Sequence, residues 1–215
     1  MTALTTVYLV RHGETDWNAS DRCQGSVDVP MNAAGVAQIA SLLEVLRPIR
    51  FDAAFTSPLG RARQTAEILL GDSGVQPIEL EELAELCYGT CQGQTSAEWQ
   101  GDTGAHWLAD PWSLTFPEGE SLVQLRGRVS SAIEEILDTH EGSCILVSGH
   151  GHANRVLIID ALGLEPGTFW DIPQPNGSAY RLQYRRSGSG EWVAASASPV
   201  AGTFSGNNVI GQSGT

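Results

Sequence analysis

Two kinds of hydrophobic pattern alternate along the chain. Residues 7–10 (VYLV) and 145–147 (ILV) are short, continuous apolar runs rich in β-branched residues, typical of parallel strands buried on both faces. Residues 32–46 and 119–139 instead place apolar side chains at helical spacing. The predicted buried stripes are Val36, Ile39, Ala40, Leu43 and Leu46 on the first helix and Leu122, Leu125, Val129, Ala132, Ile133, Ile136 and Leu137 on the second.

Further elements are predicted between these segments. FDAAFTSP (51–58) predicts a strand that runs into a turn, and LGRARQTAEILL (59–70) predicts a helix with Pro58 suited to its first turn. PIELEEL (77–83) predicts a third extended segment. Residues 99–118 contain several tryptophans but show little periodicity, so we expect an ordered loop or short helices over one rim of the fold.

The last part of the chain completes the predicted fold. A Gly-His-Gly-His turn and a helix follow the ILV run, and AYRLQYRR (179–186) and EWVAASA (191–197) predict a hairpin. Strands that alternate with helices predict an α/β protein, a three-layer α/β/α sandwich around a mostly parallel sheet. We predict a single domain over residues 1–201 and a flexible, Gly/Ser-rich tail over residues 202–215.

Charge narrows the possible function classes. The formal net charge of -13 and the pI of about 4.6 would repel phosphate backbones and anionic lipid heads, so we expect neither nucleic acid nor a membrane as partner. The 12 basic residues are all arginines. The absence of lysine excludes lysine Schiff bases, pyridoxal phosphate attachment and the lysine of a P-loop.

The cysteines and the first residues indicate a reducing compartment. The spacing of Cys23, Cys87, Cys91 and Cys144 does not form a disulfide framework in a chain of this length. Cys87 and Cys91 could be half of a metal site, but no second pair with finger-like spacing accompanies them, so we expect no metal. The first ten residues lack a basic leader, and no apolar run approaches the ~20 residues of a membrane span, so we expect a cytoplasmic protein.

Polar and charged side chains follow three of the predicted strands. Arg11 and His12 end the first strand, Ser57 and Arg61 follow the second, and His150 follows the ILV strand. Ligands of parallel α/β sheets bind at the carboxyl ends of the strands, where these side chains would converge. Arginine forks and helix N-termini both favour phosphate, so the sequence predicts a site for a small dianion.

Six segments carry a family resemblance. The chain resembles the histidine phosphatase superfamily, the phosphoglycerate mutase-like proteins, over roughly residues 6–181. The matching segments occur in the family's order: VRHGETDWN, RCQGSVDVPMNAAG, SPLGRARQTA, LAELCYGTCQG, FPEGESL and VSGHGHANRVL.

The resemblance implies a role for each core residue. It makes His12 the nucleophile that becomes a phosphohistidine, and it makes Arg11, Arg61 and His150 the groups that hold the phosphoryl oxygens. His150 would serve best when protonated, a state that a phosphate neighbour favours. Glu85 matches the proton donor to the leaving oxygen, a role that needs a carboxyl pKa raised towards neutrality by burial or by phosphate. No cofactor is implied.

Further positions are expected to contact phosphate or substrate. Ser57 could instead cap the next helix, and His152 could line the substrate side of the pocket or belong to a metal-binding His-x-His pair. The expected binding residues are Asn18, Gln24, Gly25, Ser57, Gly151 and His152.

Departures from the family pattern favour hydrolysis. Gln24-Gly25-Ser26 has the phosphatase-like form, and the interval between Glu85 and His150 is too short for the insertion found in the mutases. Cys91 and Gly149 also differ from the usual pattern, with effects that the sequence leaves open. We therefore expect a phosphoric monoester hydrolase of the histidine acid phosphatase type, with a mutase and a catalytically weak binding module as alternatives.

The substrate is only broadly constrained. The tryptophans Trp99, Trp107 and Trp112 lie in the region that caps the pocket in this superfamily, which favours a partly apolar or sugar-like leaving group. No basic cluster occurs there, which disfavours multiply phosphorylated substrates. The expected partner is a small-molecule phosphomonoester, and a homodimer is possible.

Overall fold

A six-stranded sheet forms the centre of the computed structural model, which describes residues 4–99 and 101–200. The strands are β1 Thr5–Arg11, β2 Ala53–Thr56, β3 Pro77–Glu79, β4 Cys144–Gly149, β5 Ala179–Arg186 and β6 Trp192–Pro199. Their order in the sheet is β3-β2-β4-β1-β5-β6. Strands β1 to β4 pair in parallel, whereas β5 pairs antiparallel with both β1 and β6, and β6 forms the edge.

Helices cover both faces of this sheet. The helices are α1 Asp16–Ala19, α2 Ala33–Leu46, α3 Gly60–Leu70, α4 Thr103–Ala109, α5 Leu122–Thr139 and α6 Gly151–Leu162, with 3₁₀ turns at Glu81–Leu83, Gly89–Cys91, Ser96–Glu98 and Pro166–Asp171. Val7 and Leu9 of β1 pack into one apolar cluster with α5 and α6, and Tyr8 and Val10 pack into a second cluster with α2 and α3. This alternation gives the predicted three-layer α/β/α sandwich.

The predicted buried face of α2 needs correction, whereas that of α5 does not. Val36 and Ala40 are exposed, and the buried face of α2 runs through Gly35, Ile39, Leu42 and Leu46, with Leu43 only half buried. The whole predicted stripe of α5 is buried.

Two helices begin later than the sequence pattern suggests. Pro58 lies before the first turn of α3, because Leu59 is the N-cap and the helix begins at Gly60. Helix α5 begins only at Leu122, where Ser121 forms a capping box with Gln124. Of the predicted segment 77–83, only the first three residues form a strand.

The strand register brings the chemistry-bearing ends together. Arg11 is paired with Gly149, and Thr56 is paired with Ser148, so β1, β2 and β4 end at one edge of the sheet. The β1 loop also packs tightly on the start of α2: a Cβ on Gly13 would lie 2.4 Å from the carbonyl oxygen of Gly35. Glycine is therefore required for this close approach.

The expected tail and the expected absence of a membrane span are addressed differently by the structure. The proposed tail, residues 202–215, lies outside the described residues, and the division at residue 201 remains a prediction. Within residues 4–99 and 101–200, no helix combines the length and the apolar character needed to span a bilayer.

Candidate active site

A polar cavity of about 190 Å³ lies at the carboxyl edge of β1, β2 and β4. The loops and helix starts that follow these strands supply its walls, as expected for a parallel α/β sheet. Its lining residues are Arg11, His12, Asn18, Asp21, Arg22, Cys23, Gln24, Gly25, Arg61, Glu85, Tyr88 and His152.

His12 is held in one orientation at the floor of this cavity. Its side chain is buried, and Nδ1 lies 2.7 Å from the carbonyl oxygen of Gly13. Arg61 Nε donates to His12 Nε2 at 3.3 Å. Because a carbonyl oxygen can only accept, the proton resides on Nδ1 and the lone pair resides on Nε2. Burial, followed by the nearby charge of His150 and Arg61, holds the pKa of His12 well below its usual value, so the imidazole is neutral.

Two arginines supply fixed positive charge beside His12. Arg61 is 1% exposed, and its terminal nitrogens donate to the carbonyl oxygens of Val27 and Gly25 at 2.7 Å each. Arg11 Nη1 donates to the carbonyl oxygen of Gln174. Burial lowers the pKa of each guanidinium to about 10, which leaves both arginines charged at neutral pH.

His150 lies behind His12 and is fully buried. The two rings meet edge to face, with centroids 5.2 Å apart. Neither ring nitrogen of His150 bonds to a protein group in the described part of the chain. Burial, and then the charge of Arg61, holds its pKa well below the usual value. A phosphate dianion would act in the opposite direction and favour the imidazolium.

Glu85 is fixed by the start of α6. Its Oε1 accepts from the backbone N–H groups of Leu86 at 2.9 Å and Ala153 at 3.2 Å. Its Oε2 accepts from the backbone N–H of His152 at 3.1 Å and lies 3.3 Å from His152 Nδ1.

The protein groups around Glu85 do not raise its pKa as predicted. Burial alone would raise it, but the charge and hydrogen bond of His152, the charge of His150 and the Leu86 amide outweigh that effect. The net pKa is well below the usual value. Burial acts in the expected direction but is outweighed, because a carboxylate that accepts several N–H bonds is stabilised in its ionised form. The effect of a bound phosphate on this pKa stays a prediction.

Most of the other predicted binding residues line the cavity. Asn18 Oδ1 accepts from Asn176 Nδ2 at 3.1 Å, and Gln24 Oε1 accepts from the Thr15 hydroxyl at 2.9 Å. Gly25, with a φ of 54°, and His152 also lie in the wall.

Three further positions lie beside the cavity or behind it. Gly151 begins α6 next to Arg11, where a Cβ would lie 3.5 Å from the guanidinium carbon. Ser57 lies outside the cavity lining, and its hydroxyl accepts from the backbone N–H of Leu59 at 3.3 Å. Gly149 ends β4, where a Cβ would crowd Asn154 Oδ1 at 2.9 Å.

Several cavity residues were not identified from the sequence. Tyr88 lies within the Glu85 motif, and Asp21, Arg22 and Cys23 directly precede Gln24, so neighbourhood in the motifs was the available signal. Asn176 has no such signal, because it belongs to the loop before β5. Its side-chain amide nevertheless donates to the carbonyl oxygen of His12 at 3.2 Å.

The tryptophans do not line the cavity. Trp99 and Trp107 are buried around Phe116, and both contact Tyr88, which forms part of the cavity wall. Trp112 donates from its ring nitrogen to the carbonyl oxygen of Pro166. The prediction that these rings face a leaving group is therefore wrong for this cavity, because they pack behind its wall.

Candidate metal ligands are not clustered in the described part of the chain. Across residues 4–99 and 101–200, no three His, Cys, Asp or Glu side chains are grouped so that they could hold a metal ion. The two histidines of the His-x-His pair have different neighbours. His150 lies beside His12, whereas His152 contacts Glu85.

An oriented imidazole, two arginines and a carboxylate meet at the carboxyl edge of a parallel sheet, an arrangement that suits a phosphoryl group. The chain belongs to the histidine phosphatase superfamily (branch 1), whose family model matches residues 7–195. This match supports a phosphatase of the superfamily without specifying the acid phosphatase type.

Relatives carry both phosphatase and mutase names. The Bacillus subtilis "Uncharacterized phosphatase PhoE" is 32% identical over 163 residues, which covers 76% of this chain and 80% of the relative. The Escherichia coli "Probable phosphoglycerate mutase GpmB" is 34% identical over 202 residues, which covers 91% and 93%. Among solved structures, Bacillus stearothermophilus YhfR superposes with a TM-score of 0.81 at 31% identity and covers 89% of this chain and 95% of its own. The phosphoglycerate mutase-like fold is therefore confirmed.

Proposed function

We propose that the chain is a metal-independent phosphomonoesterase that acts on a small phosphorylated metabolite through a phosphohistidine at His12. The observation that carries this proposal is the orientation of the neutral His12 imidazole. Its Nδ1–H donates to the Gly13 carbonyl oxygen at 2.7 Å, so its lone pair is on Nε2, where it accepts from Arg61 Nε at 3.3 Å. A neutral, oriented imidazole is a good nucleophile and later a reasonable leaving group.

In the first step, the Nε2 lone pair of His12 attacks phosphorus while the bond to the leaving oxygen breaks. The terminal nitrogens of Arg61 are occupied by backbone carbonyl oxygens, so its Nε–H is the donor that a phosphoryl oxygen would take over from His12. Arg11 and a protonated His150 stabilise the remaining oxygens. Preorganised charges of this kind supply most of the catalysis in phosphoryl transfer.

In the second step, water attacks the phosphohistidine and His12 leaves as a neutral imidazole. Glu85 would protonate the leaving oxygen in the first step and remove a proton from water in the second. Its position supports both roles, because it lines the cavity that His12 also lines.

The cavity favours a small substrate. Its volume of about 190 Å³ is below the ~300–1,000 Å³ typical of sites for drug-sized ligands. A phosphoryl group and a short leaving group fit this space better than a nucleotide does.

Intramolecular phosphoryl transfer is the second candidate, favoured by the name of the Escherichia coli relative. The short interval between Glu85 and His150 speaks against it, because it lacks room for the insertion of the mutases. The two activities give different products, so one assay separates them.

The test measures phosphate release from sugar phosphates, phosphoglycerates, phosphoserine, nucleotides and an aryl phosphate, in parallel with phosphoglycerate isomerisation. Selective release that His12→Ala abolishes and a chelator leaves unchanged supports the proposal. Isomerisation without release would favour the mutase, and neither activity in a folded protein would favour a binding role.

A further inference from the structure

His152 is the side chain closest to Glu85 that can carry a proton. It is the second residue of α6, and its Nδ1 lies 3.3 Å from Glu85 Oε2. The hydroxyl of Tyr88 lies 3.2 Å from the same Nδ1. No other side chain in the described part of the chain forms a hydrogen bond to this carboxylate.

An aromatic cage holds the His152 ring in place. Phe169 stacks on it, with centroids 5.6 Å apart and planes 13° apart. Trp107 and Trp170 pack around it at 5.5 and 6.0 Å. The ring has few alternative rotamers in such a cage, so its polar edge stays directed at Glu85 and Tyr88.

The imidazole is not needed to anchor Glu85. Three backbone N–H groups, those of Leu86, His152 and Ala153, already hold the two carboxylate oxygens. Any residue except proline at position 152 would keep this backbone N–H. The side chain instead adds a second site at which the same proton can reside.

We propose that His152 is the proton partner of Glu85, so that the pair, rather than Glu85 alone, stores the proton delivered to the leaving oxygen. This inference rests on the proposed function. With substrate bound, the pair holds one proton, shared between His152 Nδ1 and Glu85 Oε2. As the bond between phosphorus and the leaving oxygen breaks, the electron pair stays on that oxygen, which takes the proton from Glu85.

The proton count then closes over the cycle. After the first step, Glu85 is a carboxylate and His152 is a neutral imidazole. In the second step, Glu85 removes one proton from the attacking water, the resulting oxygen bonds to phosphorus, and the pair regains its proton. His152 is a positioning and proton-sharing residue in this scheme, since Glu85 is the group that contacts the leaving oxygen.

The charges that face His152 explain why such a store is useful. Burial lowers its pKa, Glu85 raises it, and Arg155 and Arg11 lower it again. Tyr88 supplies a neutral hydroxyl. The facing side chains of α4 and of the turn Pro166–Asp171 are aromatic, so they contribute no charge. A phosphate dianion would offset the two arginines and load the pair with its proton only when substrate binds.

The kinetic test compares leaving groups. His152→Phe keeps an aromatic ring in the cage and the backbone bond to Glu85, but it cannot hold a proton. We expect kcat for an alkyl phosphate to fall about 100-fold, since alkoxides need a proton, while kcat for nitrophenyl phosphate changes less than about threefold. Equal falls for the two esters would overturn the inference.

The pH profile adds a readout that a structural role would not move. Two sites that share one proton retain it to a higher pH than one site alone when the microscopic pKa of the remaining site is the same in both proteins. The basic limb of kcat for the alkyl phosphate should therefore move to lower pH in His152→Phe, and an unchanged limb would contradict the inference. His106→Asn is the matched control, because His106 bonds Ser113 on the surface.

A third measurement is independent of turnover. If His152 and Glu85 share a proton, the titration midpoint of His152, followed by NMR, should fall by at least about one unit in Glu85→Gln. An unchanged midpoint would overturn the inference, even in a protein that hydrolyses no ester.

If His152→Phe fails to fold, His152→Asn replaces it in both kinetic comparisons. Failure of the proposed function would appear separately, as wild-type protein that cannot hydrolyse nitrophenyl phosphate.

Discussion

Replacing Arg61 with lysine tests how the phosphoryl group is held. The buried guanidinium uses three donors at once: two bond the carbonyl oxygens of Val27 and Gly25, and Nε points to His12. Lysine retains the charge but has one nitrogen, which cannot reach both carbonyl oxygens and the phosphoryl position.

The geometry sets the expected size of the effect. Loss of one preorganised donor to the transition state typically costs about 2.7–4 kcal/mol, so we expect kcat to fall roughly 10²–10³-fold in Arg61→Lys. The two charge-assisted bonds to carbonyl oxygens contribute about 1.5–3 kcal/mol each to stability. Relief of the burial cost offsets part of this loss, so we expect unfolding to become easier by about 2–4 kcal/mol.

The assay measures kcat on the best ester of the panel and the free energy of unfolding in urea. Arg63→Lys is the matched control on the same helix, because Arg63 forms only a half-exposed ion pair with Glu79 at 3.5 Å. We expect the control to change stability by less than about 1 kcal/mol and to leave kcat unchanged. If Arg61→Lys stays within about threefold of wild-type kcat, the role given to its Nε is refuted.

Three further predictions concern stability. Gly13→Ala should destabilise the fold by about 1–3 kcal/mol in the urea assay, because its Cβ would press on the Gly35 carbonyl oxygen. The control is Gly127→Ala on the open side of α5, which should be neutral or slightly stabilising. Trp107→Ala should cost about 3–5 kcal/mol by calorimetry but should not selectively raise KM for apolar substrates, because the ring packs behind the cavity; a KM rise confined to such substrates would contradict this placement. The free energy of unfolding should fall as pH drops below about 6.5, because His12 and His150 have lowered pKa values in the folded protein and the unfolded chain takes up their protons first. A flat profile between pH 7 and 5, or a slope that His150→Asn leaves unchanged, would contradict that assignment.

Much of the site could be predicted because strand ends are local features. Arg11, His12 and His150 lie at or just after the ends of buried strands, and a parallel sheet brings such ends to one edge. The expectation that Arg61 joins them is matched by its contact with His12. For these residues the sequence pattern and the fold carry the same information.

The remaining features depend on contacts between distant segments. The amides that bond the Glu85 carboxylate include two from the start of α6, which no local pattern links to residue 85. The exposure of Val36 and Ala40 depends on how α2 is rotated against the sheet, and the helical spacing alone leaves that rotation open. The family resemblance places Trp107 in the region that caps the pocket, whereas its ring packs against Tyr88 and Phe116.

The most direct test of the central claim is detection of the covalent intermediate. Protein mixed with its best ester is quenched on the millisecond scale and mapped by mass spectrometry under conditions that preserve phosphohistidine, with His12→Ala as control. The mechanism predicts a phosphoryl group on His12, formed and consumed at rates compatible with kcat and absent from the variant. Steady turnover without any phosphorylated protein, or with the phosphoryl group on another residue, would contradict it.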